Sequence, residues 1–420
     1  MPDRMKRLLL LGNLVAVTAA ACLTIKPVLA AEFEFRPSVA ISEEVTDNIY
    51  ELPNNKRTEF VTRLQPGFTS SYQTPFWNWN LGYMLEYRRY ERDTRSDTLI
   101  HNVDAKGNIA LVENFLFLDL SDTFRQVPVD VVRNNTATEN SRFVNLTKQN
   151  NASISPYVLW RLKGDNTLKT GYRYTDIRYS GSTGIDNQEH RAFADLTHAI
   201  TSKLNLTTVY AFTRLESRPT QFNRHDLSGG FRYEYADKSF VFGQIGYSWQ
   251  QFDTGGDANY LFWNAGVTYD FSFVVATLET KVAPSVDPLS VSTKEASYSG
   301  RLEKTLQRGM IGLSTSYTEY ENTRTNIIPD RHTLAISATG RYEVLQSLTA
   351  TLTATGERFS RNTVSDYPYR FTGVAVLNYA FKDALTLGFT YTYINNLKDP
   401  NAGAASYQVN NAILELRKTF

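Results

Sequence analysis

The strongest constraint on this 420-residue chain is a strict two-residue alternation of apolar and polar side chains. It is clearest from Trp77 to Tyr87, where large apolar residues alternate with polar or small ones such as Asn78, Asn80 and Glu86. Successive side chains of a β-strand point to opposite faces, so a period of two predicts a strand between two different environments. We interpret one face as lipid-facing and the other as wet.

Long and short connections alternate along the whole sequence. Short turns are predicted near residues 73–75, 112–114, 161–166, 201–203, 236–238, 270–271, 306–308, 344–347 and 381–384. Long polar loops are predicted near residues 43–57, 91–97, 128–148, 180–187, 216–223, 252–258, 284–293, 321–329, 360–367 and 395–406. These connections join about 20 strands, with 18 as the alternative if one hairpin is miscounted. The prediction is an all-β fold, a transmembrane antiparallel up-and-down β-barrel with short periplasmic turns and long extracellular loops.

The first 30 residues have the pattern of a secretory signal peptide. Arg4 and Arg7 lie in a basic region, an apolar stretch follows, and cleavage is expected after Ala30, with Ala31 as a near-equal alternative. A lipoprotein site at Cys22 is the less favoured interpretation. Residues 31–420 then form a single barrel domain, because no composition shift or linker divides them.

Composition narrows the class of protein. Removal of residues 1–30 leaves 40 of the 44 basic and 42 of the 43 acidic residues, a formal charge of −2. This balance argues against a nucleic-acid partner, which requires a basic surplus. The single cysteine leaves with the signal, and no apolar run of about 18 residues remains to form a membrane-spanning helix. The expected location is the outer membrane of a Gram-negative bacterium, with lipid and lipopolysaccharide as partners.

The last strand alternates in the same way and ends on an aromatic residue. It resembles the terminal strand of bacterial outer-membrane β-barrels, in which a final Phe is read by the barrel-assembly machinery. The resemblance implies that Leu414, Leu416 and Phe420 serve closure and assembly, although Lys418 replaces the usual aromatic or apolar residue. Both ends of the barrel lie on the short-turn side, so we expect closure between roughly residues 33–42 and 408–420.

No catalytic, cofactor or metal site is predicted, and we expect that the protein is not an enzyme. None of the histidines has metal-ligand spacing, and no nucleophile elbow or phosphate-binding loop is present. Histidines beside acidic residues, as in His225-Asp226 and Glu189-His190, could be drawn into a catalytic dyad. Adjacent strand residues point to opposite faces, which makes such pairs poor dyads.

The polar face is expected to carry both signs of charge into the lumen. Many acidic residues lie two positions from a basic one, which favours ladders of opposite charge across strands. The predicted lumen-lining residues are Arg63, Glu86, Arg88, Arg173, Arg191, Asp195, Arg232, Glu234, Glu279, Lys281, Arg301, Glu303, Arg341 and Glu343. These residues either wet and rigidify the wall or form a weakly ion-selective channel surface.

Strand number sets the width of the lumen. A barrel of 18 to 20 strands is too wide to be filled by wall side chains alone. We expect the longest loop, Pro128 to Gln149, to be external and solvated, with folding into the lumen as a constriction as the alternative.

One short segment is more specific than composition. Residues Ser42–Tyr50 read SEEVTDNIY and follow the first strand directly. The segment is similar to the opening of a family of outer-membrane β-barrel porins associated with exopolysaccharide and PEP-CTERM (exosortase) loci. That resemblance implies a polysaccharide-associated pore. The alternative is a simple acidic turn formed by Asp47 and Asn48.

Three functions remain open at this point. The first is a pore that takes part in exporting a secreted polysaccharide, with the polysaccharide and periplasmic export proteins as partners. The second is a general diffusion porin for small hydrophilic solutes, and the third is a structural or adhesive barrel. Diffusion porins cluster Arg opposite Asp and Glu at a constriction loop. No single loop of this sequence shows such a cluster, which favours export.

Overall fold

The structure is a computed structural model that describes residues 31–131, 133, 135–180, 184–218, 220–323, 331–359, 368–397 and 406–420. The predicted signal peptide (1–30) and the predicted loop at 360–367 lie outside these residues, as do parts of the loops predicted at 180–187, 321–329 and 395–406.

Twenty strands make up almost all of the described chain. They are β1 (Glu32–Thr46), β2 (Glu59–Gln73), β3 (Trp77–Tyr90), β4 (Thr98–Val112), β5 (Leu116–Pro128), β6 (Leu146–Arg161), β7 (Thr167–Ser180), β8 (Asn187–Thr201), β9 (Leu204–Ser217), β10 (Phe222–Ala236), β11 (Ser239–Phe252), β12 (Ala258–Asp270), β13 (Val275–Asp287), β14 (Ser290–Leu306), β15 (Gly309–Asn322), β16 (Arg331–Leu345), β17 (Leu348–Phe359), β18 (Tyr369–Ala380), β19 (Leu385–Leu397) and β20 (Tyr407–Thr419). One short helix, α1 (Ala137–Arg142), lies between β5 and β6. No helix in the described ranges is long and apolar enough to cross a bilayer.

The strands form one closed ring. Each strand pairs antiparallel with the next in sequence, and β20 pairs with β1. The sheet therefore has no free edge, which is the condition for strands to span hydrocarbon. The predicted antiparallel up-and-down barrel and its count of 20 strands are both confirmed.

The two faces of the sheet differ as the alternation predicted. Large apolar side chains such as Phe33, Ile245, Leu278 and Leu352 are more than half exposed on the outer face. Aromatic contacts cluster on this face near the short turns. Examples are the pairs Tyr72–Trp77, Phe115–Trp160, Tyr269–Phe271 and Tyr379–Phe381. An apolar band with an aromatic girdle is the outer surface of a membrane barrel.

The closing seam is displaced from its predicted position. Ser38–Thr46 pair with Asn411–Thr419, whereas the sequence suggested residues 33–42 and 408–420. Glu32–Pro37 have β2 as their only paired strand. Strands of a barrel tilt and stagger, so matching chain ends do not lie at the same height.

Lys418, the departure from the terminal-strand pattern, lies at the short-turn rim. Its Nζ donates to the Asp383 carbonyl and lies 5.7 Å from the centre of the Phe420 ring. A lysine can keep its stem against apolar surface while its charge reaches the interface. The substitution is therefore compatible with an outward position at the end of the strand.

Three predicted loop boundaries are wrong. Glu43–Thr46, placed by the sequence in the first loop and after the first strand, belong to β1. The loop expected at 284–293 is a tight turn, because β13 continues to Asp287 and β14 begins at Ser290. Leu146–Gln149, assigned by sequence to the longest loop, belong to β6. In these places polar residues or prolines resemble loop composition, while the backbone continues to pair at the barrel rim.

The lipid-facing and lumenal faces predict different costs for the same substitution. Ile245 lies near the middle of β11 on the outer face, and Gln244 is its inward neighbour. We expect Ile245→Arg to lower the free energy of unfolding by about 2–4 kcal/mol, since it places a charge in hydrocarbon. Gln244→Arg should lower the free energy of unfolding by about 1 kcal/mol, because it removes the hydrogen bond that Gln244 donates to Ser228.

Guanidinium unfolding of both variants in lipid vesicles, followed by tryptophan fluorescence, measures this difference. Equal losses in the two variants would contradict the assignment of faces.

Candidate functional site

Residues 129–131, 133 and 135–145, called the inward loop below, cross the inside of the barrel. The loop leaves the wall between β5 and β6. It reaches the far side of the ring, where Asp130 pairs with Arg331 of β16 (3.2 Å) and Glu139 faces Arg370 of β18 (3.9 Å). The expectation of an external solvated loop is therefore wrong. The alternative, a loop folded into the lumen, describes the structure.

The sequence of the loop favours a compact turn of helix at its centre. Thr136 caps α1 by accepting a hydrogen bond from the Glu139 amide (3.1 Å), and the Glu139 carboxylate accepts one from the Thr136 amide (2.8 Å). This reciprocal capping box satisfies two donors of the first turn. A six-residue helix is unstable alone, so the wall contacts described next must hold it in place.

One group of contacts attaches the loop to β1, β2 and β3. The Ser141 hydroxyl donates to the Glu44 carboxylate (2.7 Å), which also accepts from Arg63. Arg88 donates to the Asn140 carbonyl (2.8 Å). The Glu44 side chain is fully buried, so its charge depends on these donors.

Aromatic stacking secures the end of α1. Phe143 follows the helix in the left-handed region at φ 58°, which is costly for a residue with a large side chain. Its ring lies against the guanidinium groups of Arg88 (5.1 Å) and Arg95 (4.5 Å). These cation–π contacts fix the point where the loop turns back toward the wall.

A second group of contacts attaches the loop to β17 and β18. The buried Arg370 donates to Glu357 (2.7 Å) and faces Glu139 of the loop. Arg133 lies 3.8 Å from Glu139 and stacks over the Phe359 ring. Glu139 therefore contacts one cation of the loop itself and one cation of the wall.

Glu51 connects the first external loop to the inward loop. Its carboxylate accepts hydrogen bonds from Thr136 (2.5 Å), from Thr138 and from the Tyr407 hydroxyl of β20 (3.0 Å). Burial desolvates the carboxylate, and the neighbouring Glu139 repels it. Both effects raise the pKa of Glu51 above its usual range.

The SEEVTDNIY segment acts as an anchor in the structure. Glu44 bonds the inward loop and also accepts from Asn411 of β20 (2.5 Å). Asp47 accepts from the backbone amide (2.8 Å) and side chain (2.7 Å) of Asn410. Asn48 bonds the Leu52 amide (3.0 Å) and carbonyl (2.8 Å). The segment thus joins the first strand, the last strand and the inward loop, which is more than an acidic turn.

The lumen has a packed end and an open end. Near the long loops, inward side chains are buried on strands all around the ring: Glu44, Arg88, Ile100, Asn187, Thr213, Asp226, Gln250, Thr333, Glu357, Arg370, Asn396 and Asn411. Near the short turns the inward charges are exposed: Glu34, Arg36, Asp104, Lys106, Arg232 and Glu234. We call this open part, lined by the inward side chains of the strand halves next to the short turns, the turn-end vestibule.

The predicted lumen residues fall into two sets. Arg63, Glu86 and Arg88 are brought together beside the inward loop. The others lie on strand positions that alternate with outward apolar residues, and they are spread around the wall: Arg173, Arg191, Asp195, Arg232, Glu234, Glu279, Lys281, Arg301, Glu303, Arg341 and Glu343.

Ladders of opposite charge across strands form at two places. Arg63 pairs with Glu44 and Glu86 across β1, β2 and β3, and Arg370 pairs with Glu357 across β17 and β18. Most lumenal pairs instead join residues two apart on one strand: Glu34–Arg36, Glu86–Arg88, Asp104–Lys106, Arg224–Asp226, Arg232–Glu234 and Glu415–Arg417. Residues i and i+2 share a face, and a long basic side chain spans the distance between them.

The far anchors of the loop were not predicted from the sequence. Asp130, Arg133, Glu139 and Arg370 come from loop or rim positions where no alternation marks an inward residue. The capping pattern from Thr136 to Glu139 is the one signal that could have indicated an ordered helix here.

The histidine dyads considered from sequence do not form. His225 contacts the Tyr210 hydroxyl (2.9 Å) on the outer face, whereas Asp226 accepts from Arg224 (2.9 Å) inside. His190 likewise contacts Tyr172 (2.5 Å). Among the residues described, no group of three or more His, Cys, Asp or Glu is arranged to hold a metal ion.

Comparison with known proteins gives structural matches alone. No protein-family model and no curated protein matches the chain. The ferric enterobactin receptor of Pseudomonas aeruginosa has a TM-score of 0.54 at 9% identity, with 92% of this chain and 81% of that chain covered. The FrpB iron transporter of Neisseria meningitidis has a TM-score of 0.53 at 9% identity and the same coverage. OccK11 of Pseudomonas aeruginosa has 12% identity over 92% of this chain and 96% of that chain, with a TM-score of 0.41.

These matches and the closed ring define the class of protein. The chain is an outer-membrane β-barrel with a transporter-like fold. Its apolar outer band requires a lipid environment.

Because Arg370 is buried and pairs with two carboxylates, we expect its removal to have a large effect on stability. Arg370→Gln leaves Glu357 and Glu139 without their shared cation, and we expect a loss of about 3–5 kcal/mol in the free energy of unfolding. The control Arg232→Gln breaks the half-exposed pair with Glu234 and should cost about 0–1 kcal/mol. Chemical unfolding in detergent micelles measures both, and similar losses would refute a special role for Arg370.

Glu51 predicts that docking of the inward loop weakens as pH rises. The docked loop favours the protonated carboxyl, so its contribution is complete below the ordinary pKa of 4.5 and is lost as pH rises through the raised value. Hydrogen–deuterium exchange of residues 129–145, corrected for intrinsic rates, should show less protection at higher pH. Glu51→Gln cannot titrate and should lose this dependence. An unchanged pH dependence in the variant would assign the effect to another group.

Proposed function

We propose that the protein is an outer-membrane pore that takes part in the export of a secreted polysaccharide. The observation that carries the proposal is the asymmetry of the lumen, which is open and charged at the turn end and packed at the loop end. Outer-membrane barrels keep their short turns in the periplasm. The turn-end vestibule therefore opens toward the side from which an exported chain arrives.

The inward loop supplies a closure that can be released. Its wall contacts are mainly hydrogen bonds and ion pairs, such as Ser141–Glu44, Arg88–Asn140 and Arg370–Glu139, which water can replace when the loop moves out. Release would leave a ring of 20 strands, and barrels of that size are wide enough for an aqueous channel. A resting closure would prevent leakage of solutes when no polysaccharide is in transit.

The SEEVTDNIY segment supports the proposal through its family resemblance. Its contacts with β20 and the inward loop indicate that it maintains the closed barrel rather than recognising sugar. The segment is thus a mark of shared architecture. The polysaccharide and periplasmic export proteins are the proposed partners, and no cofactor is proposed.

A general diffusion porin is the second candidate, because one observation favours it. The inward loop carries charges of both signs, and its Asp130 and Glu139 pair with Arg331 and Arg370 of the wall. The sequence predicted that no single loop carries clustered basic and acidic residues, and this prediction, which had favoured export over a porin, is wrong. A structural or adhesive barrel is the third possibility, and it requires that the lumen never conducts.

Single-channel recording tests whether the inward loop is a releasable closure. We expect low conductance from the full chain in planar bilayers. Arg88→Gln/Arg370→Gln, which removes one anchor on each side of the loop, should raise the open probability about tenfold or more. Arg301→Gln/Arg341→Gln has the same change in charge away from the loop and serves as the control. A barrel that never conducts in any form would favour the structural reading.

Gene deletion separates the two pore functions. Loss of surface polysaccharide, restored by the intact gene, is expected for an export pore. Unchanged polysaccharide together with reduced uptake of small hydrophilic solutes would replace export by general diffusion.

A further inference from the structure

Three aromatic side chains lie at one level of the vestibule wall on neighbouring strands. Phe117 of β5 pairs with Tyr157 of β6, Tyr157 with Gly171 of β7, and Gly171 with Phe193 of β8. All four positions alternate with outward residues such as Leu118, Tyr172 and Leu196, so they share the inner face.

The absence of a side chain at Gly171 leaves room for the Phe193 ring beside Tyr157. Phe117 and Tyr157 are stacked with centroids 5.2 Å apart and an interplanar angle of 16°. A Cβ added to Gly171 would lie 2.7 Å from Phe193 Cζ and 2.7 Å from Tyr157 Cβ. The tip of the Phe193 ring therefore lies over the glycine, next to the base of the Tyr157 side chain. We call Phe117, Tyr157 and Phe193 over Gly171 the aromatic ledge.

Three cations surround the aromatic ledge. Lys169 and Arg173 flank Gly171 on β7, and Arg191 of β8 lies directly across from Arg173. The Lys169 ammonium is 3.8 Å from the centre of the Tyr157 ring and 5.8 Å from that of Phe193. The ledge thus has Arg173 and Arg191 at one border, and Lys169 with Asp195 directly across from it at the other.

These cations have less compensation than others in the lumen. Asp195 is the acidic residue beside them and interacts with all three, Arg191 most strongly. Glu189, two residues from Arg191, interacts with Arg224. Among the described residues, none of the three cations forms an ion pair within 4 Å. By contrast, Arg36, Arg88 and Arg232 each have an acidic partner on their own strand.

We infer that the aromatic ledge binds a segment of a sugar chain that carries carboxylate groups. This inference deepens the proposed export function and rests on it. The flat C–H faces of sugar rings can pack on the half-buried rings, whose apolar surface is otherwise in contact with water. Carboxylates of the same chain can accept charge-assisted hydrogen bonds from Arg173, Arg191 and Lys169.

The position and exposure of the site suit a passing chain. The ledge lies in the open half of the lumen, so a ligand arriving from the turn side meets it before the inward loop. Arg173 is exposed, which limits the strength of each contact in water. Conduction requires sites that are favourable enough to enter and weak enough to leave.

Binding by the purified full chain in detergent micelles tests the inference. The probes are hexagalacturonate as a carboxylated sugar chain, maltohexaose as a neutral chain, and citrate as a small carboxylate without sugar rings. Hexagalacturonate should bind at least about tenfold more tightly than either of the other two, because it alone can use both the rings and the cations. Equal binding of maltohexaose would reject the role of the cations, and equal binding of citrate would reject the role of the rings.

Matched variants assign the binding to this site. Arg173→Gln/Arg191→Gln should weaken hexagalacturonate binding about tenfold or more and reduce its salt dependence. Phe193→Leu, which removes a ring but keeps an apolar side chain over Gly171, should weaken it several-fold. Arg301→Gln/Arg341→Gln makes the same change in charge on β14 and β16 and should leave affinity unchanged.

Heat-modifiable migration on gels verifies that each variant is a folded barrel. A loss of affinity equal to that of the control pair would overturn the assignment. Conductance and surface polysaccharide distinguish the two proposals. Normal export with no carboxylate-sugar binding would refute the ledge alone, whereas tight binding by a barrel whose deletion leaves polysaccharide unchanged would refute the export function.

Discussion

The requirement that every backbone hydrogen bond be satisfied within the bilayer determines the rest of this structure. Hydrocarbon offers no partner for a free sheet edge, so the first and last strands must pair with each other. Ser38–Thr46 and Asn411–Thr419 meet this requirement with a staggered register. Polar anchors that lie beyond the hydrocarbon, among them Asp47 with Asn410, secure the same seam where water could otherwise compete for the backbone.

Closure at this strand number creates a second physical problem, because the ring is wider than its side chains can fill. The inward loop solves it at one end by carrying backbone and polar groups across the lumen. Buried carboxylates are costly unless they are fully paired, and Glu44 and Glu139 each have at least two donors or cations. The same cost disfavours other positions of the loop, in which these carboxylates would lose their partners. The other end stays open, where wall charges remain hydrated.

The alternation of side chains was sufficient to predict the fold, the strand count and the position of nearly every turn. The alternation is a property of each strand's own sequence, as from Trp77 to Tyr87. It can therefore be recognised without knowledge of distant contacts. The sequence named folding of this loop into the lumen as an alternative but favoured an external loop, because the loop's partners come from strands far away in sequence, as with Asp130 and Arg331. A buried loop whose charges are all paired has the same polar composition as a solvated loop, so composition does not distinguish the two. The ends of β13 and β14 were mispredicted for a related reason. Rim residues such as Pro284 are of types common in loops, but their backbone pairs with the neighbouring strand.

Glu44 and Glu51 also have a consequence for the order of folding. Each accepts a hydrogen bond from the last strand, through Asn411 and Tyr407 respectively, as well as from the inward loop. The surface that receives the loop is therefore complete only after the two ends of the chain have met. Full docking of the loop therefore requires a closed ring, and its ordered state is a sign that the ring has closed.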